Sequence, residues 1–137
     1  MTDTDAYRAA VRLLAASDKT PGELYDRLTA KGIDGTEAEE AIERLKREGY
    51  LNELSYAEKT VRRLYGSFYG KEYIRAYLQN KKFSDEALDR AESVMDQLDF
   101  DESAKQYYTA QKKAGKTSAR SLAALYKRGF TDVLPPL

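Results

Sequence analysis

Three segments of one form decide the fold: Leu28-Thr-Ala-Lys-Gly-Ile33, Leu78-Gln-Asn-Lys-Lys-Phe83 and Leu125-Tyr-Lys-Arg-Gly-Phe130. Each runs from a leucine through a cation to an aliphatic or aromatic residue, as the end of an amphipathic helix does. The closing apolar residues lie 50 and then 47 positions apart. A period of this length exceeds that of two-helix repeats and is typical of an all-helical, three-helix unit. The sequence therefore predicts tandem helical repeats, each burying a face against its neighbour.

The stretches around these segments have the apolar spacing of further helices. Thr20, Pro21 and Glu23 stand in the order of a capping threonine, a first-turn proline and a capping-box glutamate. Thr36 and Glu39 predict a second capping box in the same way. No stretch alternates apolar and polar residues over four or more positions, so no sheet is expected. We predict an all-α fold.

The period also predicts the domain organisation. We expect one continuous repeat domain, with a first three-helix repeat at residues 1–50 and a second at residues 51–100. The third repeat, residues 101–137, is expected to be incomplete, with two helices and a short tail.

Composition excludes most catalytic chemistry. The 137 residues contain no cysteine, no histidine and no tryptophan, which removes thiolate nucleophiles, histidine bases and the usual zinc ligands. We therefore expect a binding protein rather than an enzyme, with no catalytic residue, metal or cofactor. The apolar runs are too short for a bilayer, and Asp3 and Asp5 precede the first cation, unlike a secretory signal. A cytoplasmic location without membrane attachment is expected.

Charge is segregated along a chain whose formal net charge is zero. Residues 1–50, 51–100 and 101–137 carry net charges of −3, −1 and +4. Residues 59–82 hold seven basic residues against Glu72 alone, and residues 103–131 hold seven and no acid. Lys71, Arg75, Gln79 and Lys82 share one stripe of a predicted helix, so this stripe is expected to face outward.

Tyrosines are interleaved with these cations. Tyr69 lies in a turn between Gly66 and Gly70 and is expected to be the most exposed ring, whereas Tyr73 and Tyr77 are expected to be partly buried. A basic groove with tyrosines suits single-stranded nucleic acid or an acidic protein surface. The alternative is a solvated charged face above core tyrosines. A carboxylate-dependent hydrolase is a third alternative, since residues 83–102 carry eight acids, although helix solvation explains these equally.

Several segments resemble the RecX family, the bacterial regulators of the RecA recombinase. The likeness covers nearly the whole chain and is carried by Ala10–Ala15 with Glu23–Ile33, by Leu45–Ala57, by the Gly66–Gly70 turn, and by Leu125–Phe130. Lys82 stands where the second repeat of the family usually has glycine, and Asn52 where it usually has aspartate. The resemblance implies a curved, elongated array of three tandem repeats that binds along the groove of a recombinase filament and inhibits its growth and activity.

The resemblance implies a monomeric, non-enzymatic regulator of recombination and of the SOS response. The expected partner is a RecA-type recombinase filament, with single-stranded DNA inside the filament as a further contact. A direct single-stranded nucleic-acid binder that acts without a recombinase is the alternative from another class. The residues expected to contact the filament or DNA are Arg62, Arg63, Tyr69, Lys71, Arg75, Lys82, Lys112, Lys113, Lys116, Arg120, Lys127 and Arg128.

Overall fold

The structure is a computed structural model that describes residues 4–131. Within this range the chain forms eight α-helices and no strand, which confirms the all-α prediction. The helices are α1 (Asp5–Ala16), α2 (Pro21–Ala30), α3 (Gly35–Arg47), α4 (Glu53–Gly66), α5 (Lys71–Asn80), α6 (Asp85–Asp96), α7 (Phe100–Lys113) and α8 (Ser118–Lys127). We call α1–α3, α4–α6 and α7–α8 the first, second and third groups. The tail of the predicted third repeat, residues 132–137, lies outside the described residues.

Local capping chemistry explains where the helices begin. Thr20 and Glu23 form the predicted capping box at the start of α2, with each side chain bonded to the other residue's backbone N–H. The predicted box at Thr36 is wrong, because α3 begins two residues earlier. There Asp34 is the N-cap, and its carboxylate accepts from the backbone N–H of Thr36. Asn52 caps α4 through the backbone N–H of Ser55, the same function that an aspartate would serve.

The described residues contain two separate hydrophobic cores. The first lies within α1–α3 and the segment after them, and Leu24, Leu28 and Leu45 are fully buried in it. The second is shared by α4–α8 and contains Leu78, Leu125 and other large side chains, namely Val61, Ile74, Phe83, Met95, Phe100 and Phe130. The three aligned leucines of the repeated segments are therefore all core residues, as their spacing predicts.

Replacing Leu78 by alanine tests this register. Leu78 is 1% exposed, so its truncation removes apolar contacts and leaves a cavity, which should lower the free energy of unfolding by about 2 to 5 kcal/mol. Chemical denaturation of the two proteins measures the difference. A loss below about 0.5 kcal/mol, the size expected of a surface substitution, would show that the assigned register is wrong.

The middle helices α2, α5 and α8 meet end to end at two junctions of the same plan. At the first–second junction, the hydroxyl of Thr20 at the start of α2 donates to the carbonyl of Lys81 at the end of α5, at 2.7 Å. At the second–third junction, the backbone N–H of Gly70 at the start of α5 donates to the carbonyl of Arg128 at the end of α8, also at 2.7 Å. This repeated contact supports the predicted division into repeats, whose boundaries stay a prediction.

Close backbone approach at the junctions explains where glycine is needed. Gly32 and Gly129 follow α2 and α8 with φ of +90°, and Lys82 follows α5 with φ of +63°. A Cβ on residue 129 would lie 2.5 Å from the backbone nitrogen of Tyr73, so this C′ position requires glycine. At the first–second junction the residue after α5 is Lys82, and the glycine is on the facing helix instead: Gly22, in the first turn of α2, makes room for the Lys82 side chain. The departure of Lys82 from the family pattern is thus compensated by Gly22.

Candidate partner-binding surface

A row of tyrosines lies along α5 and the turn before it. Tyr69 and Tyr73 are stacked with ring centroids 4.0 Å apart and planes inclined by 19°, and Tyr77 follows Tyr73 at 6.5 Å. Residues four apart on a helix face the same side, so the row arises directly from the spacing of Tyr73 and Tyr77. All three rings are half-buried. The expectation that Tyr69 is exposed is wrong, because Tyr73 is stacked on it; Tyr126 is an exposed ring instead, at 50%.

Arg128 joins this row to the third group. Its guanidinium carbon lies 4.5 Å from the ring centroid of Tyr69 and 4.8 Å from that of Tyr107 on α7. One guanidinium nitrogen also donates to the carbonyl of Ser67 at 3.3 Å. A planar cation between two aromatic rings gains cation–π stabilisation from both. Arg128 is therefore fixed in place at the second–third junction.

Two further cations lie at the opposite end of the row. A guanidinium nitrogen of Arg63 donates to the hydroxyl of Tyr77 at 3.1 Å, and its guanidinium carbon lies 5.6 Å from the Tyr77 ring centroid. The ammonium of Lys81 also lies 5.6 Å from this centroid and is 3.8 Å from the carboxylate of Glu23 on α2. Contacts thus run without a break from α7 and α8, along α5, to the start of α2.

The positions equivalent to Tyr73, Tyr77 and Lys81 on α2 and α8 extend the tyrosine row into a longer surface, which we call the middle-helix face. Each middle helix contributes three residues to this face, spaced by four positions along the helix. Its members are Glu23, Arg27 and Lys31 on and after α2; Tyr73, Tyr77 and Lys81 on and after α5; and Arg120, Ala124 and Arg128 on and after α8. Five members are cations and one is an acid.

The protonation states of the face follow from its contacts. Interaction with the Tyr107 hydroxyl, and further with Tyr69, raises the pKa of Arg128, which therefore stays charged. Burial, and next the neighbouring Tyr69, raise the pKa of Tyr73 above its ordinary value of 10.0, so its hydroxyl stays protonated at neutral pH. The face consequently presents guanidinium, ammonium and neutral phenol groups, all of which can donate hydrogen bonds to anionic oxygens.

Comparison with known proteins places the chain in a family. A family model described as "RecX, first three-helix domain" matches residues 6–45. The regulatory protein RecX of Vibrio vulnificus is 31% identical over 126 residues, which span 89% of this chain and 82% of that protein. The chain belongs to the RecX family. A RecX from Trichlorobacter lovleyi is 46% identical over 69 residues, covering 49% of this chain and 45% of that protein.

Solved RecX structures share the fold. The crystal structure of RecX from Lactobacillus salivarius superimposes with a TM-score of 0.73 over 94% of this chain and 86% of that one, at 20% identity. A second crystal structure of a regulatory protein RecX superimposes with a TM-score of 0.72 over 92% of this chain and 66% of that one, at 18% identity.

The relatives are named regulatory proteins, and this RecX-family chain has a regulatory role of that type. In residues 4–131, no helix combines the length and apolar character needed to span a membrane.

The three cations of the predicted outward stripe, Lys71, Arg75 and Lys82, have different surroundings in this RecX-family chain. Arg75 is turned toward α6, where its Nε is 2.6 Å from Glu92, and a second nitrogen is 2.5 Å from Glu72. Lys82 forms an ion pair with Asp26 of α2. Only Lys71 of the three cations has no carboxylate partner among the described residues, and its ammonium lies 5.6 Å from the ring of Phe100. The stripe therefore lies outside the core as predicted, with two of its three cations held in ion pairs.

The Arg75–Glu92 ion pair makes the stability of the fold depend on pH. Hydrogen bonding to Arg75 lowers the pKa of Glu92 below its ordinary value of 4.5, against the opposing effect of burial. Stability from this pair is therefore present above about pH 4.5 and lost as the pH falls through the lower pKa of the folded state. Because both side chains are partly exposed, the loss should be at most about 1 kcal/mol. Unfolding of the Glu92→Gln variant between pH 7 and pH 3 should show a smaller decline than wild type, and equal declines would contradict the assignment.

The other predicted contact residues fall into two sets. Arg63, Tyr69 and Arg128 contact or form part of the tyrosine row, and Arg120 and Arg128 are members of the middle-helix face. The remaining cations belong to neither. Arg62 lies 3.7 Å from Glu58, Lys112 donates to the hydroxyl of Ser118 at 2.9 Å, and Lys113, Lys116 and Lys127 are exposed on the third group.

Sequence reasoning missed Arg27, Lys31 and Lys81 as members of the face. It correctly expected Tyr73 and Tyr77 to be partly buried but did not name them as contact residues. A usable signal was present, since Tyr69, Tyr73, Tyr77 and Lys81 are spaced by four. The link to Tyr107 and Arg128 carries no local signal, because it arises from the meeting of α5 and α8.

Proposed function

We propose that this RecX-family chain is a non-enzymatic, monomeric regulator that binds the filament of a RecA-type recombinase in the cytoplasm. By occupying the filament, it inhibits or modulates the recombinase in recombination and in the SOS response. Family membership supports the regulatory part of this proposal. The middle-helix face supports the binding part, and no catalytic group, metal or cofactor takes part.

One observation carries the proposal: the five cations of the face are distributed over three helices that follow one another end to end. A partner that meets all of them must present anionic groups at intervals along an extended surface. A protein filament offers such a surface because its subunits repeat along its length. Complementary charges spread over a long interface provide fast association and fixed register.

The tyrosines favour a protein partner over unstacked bases. Single-stranded nucleic acid is usually held by aromatic rings with a free face on which a base can stack. In this chain Tyr69 is stacked on Tyr73 and covered by Arg128, which also covers Tyr107. These rings are already engaged, so the face offers cations and hydroxyls more readily than stacking platforms. Contacts to DNA inside the filament would accordingly go to phosphates.

Binding measured with and without the recombinase tests the proposal. Labelled chain is titrated with single-stranded DNA alone, and with the same DNA coated by nucleotide-loaded recombinase, at one salt concentration. We expect affinity for the coated DNA to be greater by at least about tenfold. Equal affinity for bare DNA would instead support the alternative, a nucleic-acid-binding module that acts without a recombinase.

A further inference from the structure

The two junctions between the helical groups are held by different forces. At the second–third junction, Leu125 and Phe130 are buried in the same core as Leu78. The ring of Phe100 also packs edge-on against Tyr65, with centroids 5.1 Å apart. The second and third groups therefore share apolar contacts that fix their relative position.

The first–second junction is polar. Among the described residues, the core of the first group and the core of the second have no member in common. The two middle helices are joined there by the Thr20–Lys81 hydrogen bond and by the ion pairs Lys81–Glu23 and Lys82–Asp26. The side chains of the second pair are 57% and 51% exposed. Thr20 is buried at this junction, but no apolar core spans it, and exposed ion pairs contribute little to stability and are screened by salt. The first–second junction should therefore resist bending less than the second–third junction does.

One of these cations also belongs to the middle-helix face. Lys81 lies over the ring of Tyr77 and at the same time faces Glu23. Glu23 is the one acid of that face, and it occupies the position that an anionic group of a partner would take. Partner binding and the closed junction therefore compete for the same ammonium group.

We infer that the first–second junction is an ionic hinge, loosened when an anionic partner surface displaces Glu23 from Lys81. The first group can then reorient over a wider range while the second and third groups stay rigid. The hinge follows from the junction alone, whereas its release by a partner rests on the function proposed above. A hinge of this kind would let one chain adapt to partner surfaces of different curvature.

Distance measurements between introduced labels test the hinge. The chain has no cysteine, so two introduced cysteines can be labelled uniquely. One pair, Glu40→Cys with Ala123→Cys, spans the hinge, and the reference pair, Ser93→Cys with Ala123→Cys, spans the rigid junction. All three positions are exposed. Glu23→Gln with Asp26→Asn removes the ion pairs, and glutamine can still complete the capping box. Glu37→Gln with Glu39→Gln is the control with the same change in charge.

The hinge predicts that only one distance responds. Glu23→Gln with Asp26→Asn, or 0.5 M salt on the wild-type chain, should broaden the distance distribution of the Glu40–Ala123 pair by at least about 1.5-fold. The Ser93–Ala123 pair and the control variant should not change. An unchanged Glu40–Ala123 pair, or equal broadening of both pairs, would overturn the inference. Neither result depends on a recombinase, so the hinge and the proposed function can fail separately.

Poly-glutamate tests the competition directly. At low salt, it should broaden the Glu40–Ala123 distribution of the wild-type chain. It should also bind the Glu23→Gln, Asp26→Asn variant about two- to fivefold more tightly than the Glu37→Gln, Glu39→Gln control. Equal affinities for the two variants would show that Glu23 does not compete with the partner, and the coupling would be abandoned.

Discussion

Reversing the charge of Arg27, Lys31 and Arg120 to glutamate is expected to weaken binding to the recombinase filament by at least about 100-fold. All three lie on the middle-helix face, are exposed, and have no carboxylate partner among the described residues. Each reversal replaces an attraction to an anionic partner with a repulsion. Because exposed charges contribute little to folding, the melting temperature should change little.

The matched control carries the same change in charge away from the face. Arg12, Arg47 and Lys59 are also exposed and have no carboxylate partner in the described part of the chain. Reversing these three should reduce filament affinity by less than about fivefold, through net charge alone. If both triple variants lost affinity equally, binding would depend on overall charge rather than on the middle-helix face.

Replacing Gly129 by alanine is expected to have a large effect on stability. Residue 129 has φ of +90°, and a Cβ there would meet the backbone nitrogen of Tyr73 at 2.5 Å. Backbone at the start of α5 cannot move aside as a flexible side chain can. The second–third junction must therefore separate or distort, at an expected cost of at least about 3 kcal/mol in the free energy of unfolding.

Gly115 provides the control for backbone strain alone. Its φ is +87°, and a Cβ there would have no neighbour within 4 Å. Gly115→Ala should therefore lower the free energy of unfolding by only about 1 to 2 kcal/mol, the cost of placing an alanine in the left-handed region. The difference between the two variants, measured by denaturant unfolding, reports the close approach at the junction. Equal costs would mean that α8 does not meet α5 as described.

The sequence predicted those parts of the fold that depend on local chemistry and periodicity. Leu28, Leu78 and Leu125 are all buried because each ends the apolar stripe of a middle helix, and a stripe is visible as spacing. The start of α3 was misplaced because Asp34 and Thr36 are both good caps, and sequence alone does not decide between them.

The candidate surface was predictable only in part. Helical spacing correctly separated Arg75 from the core but did not show which neighbouring helix it meets. Its pairing with Glu92 depends on the packing of α6 beside α5. Likewise, Arg128 and Tyr69 are 59 positions apart in sequence, and only the junction between α8 and α5 brings them together. The spacing of residues within one helix thus does not reveal which partners they contact at a junction with another helix.

Crosslinking from single positions tests the central claim most directly. A photoreactive residue is introduced in place of Arg27 on the middle-helix face, or in place of Lys59 as the off-face control, and each chain is irradiated with recombinase assembled on single-stranded DNA. Both positions are exposed. The account predicts that the probe at residue 27 crosslinks to the recombinase and that the probe at residue 59 does not. Crosslinks from residue 27 to DNA alone, or equal yields of recombinase crosslinks from both positions, would contradict it.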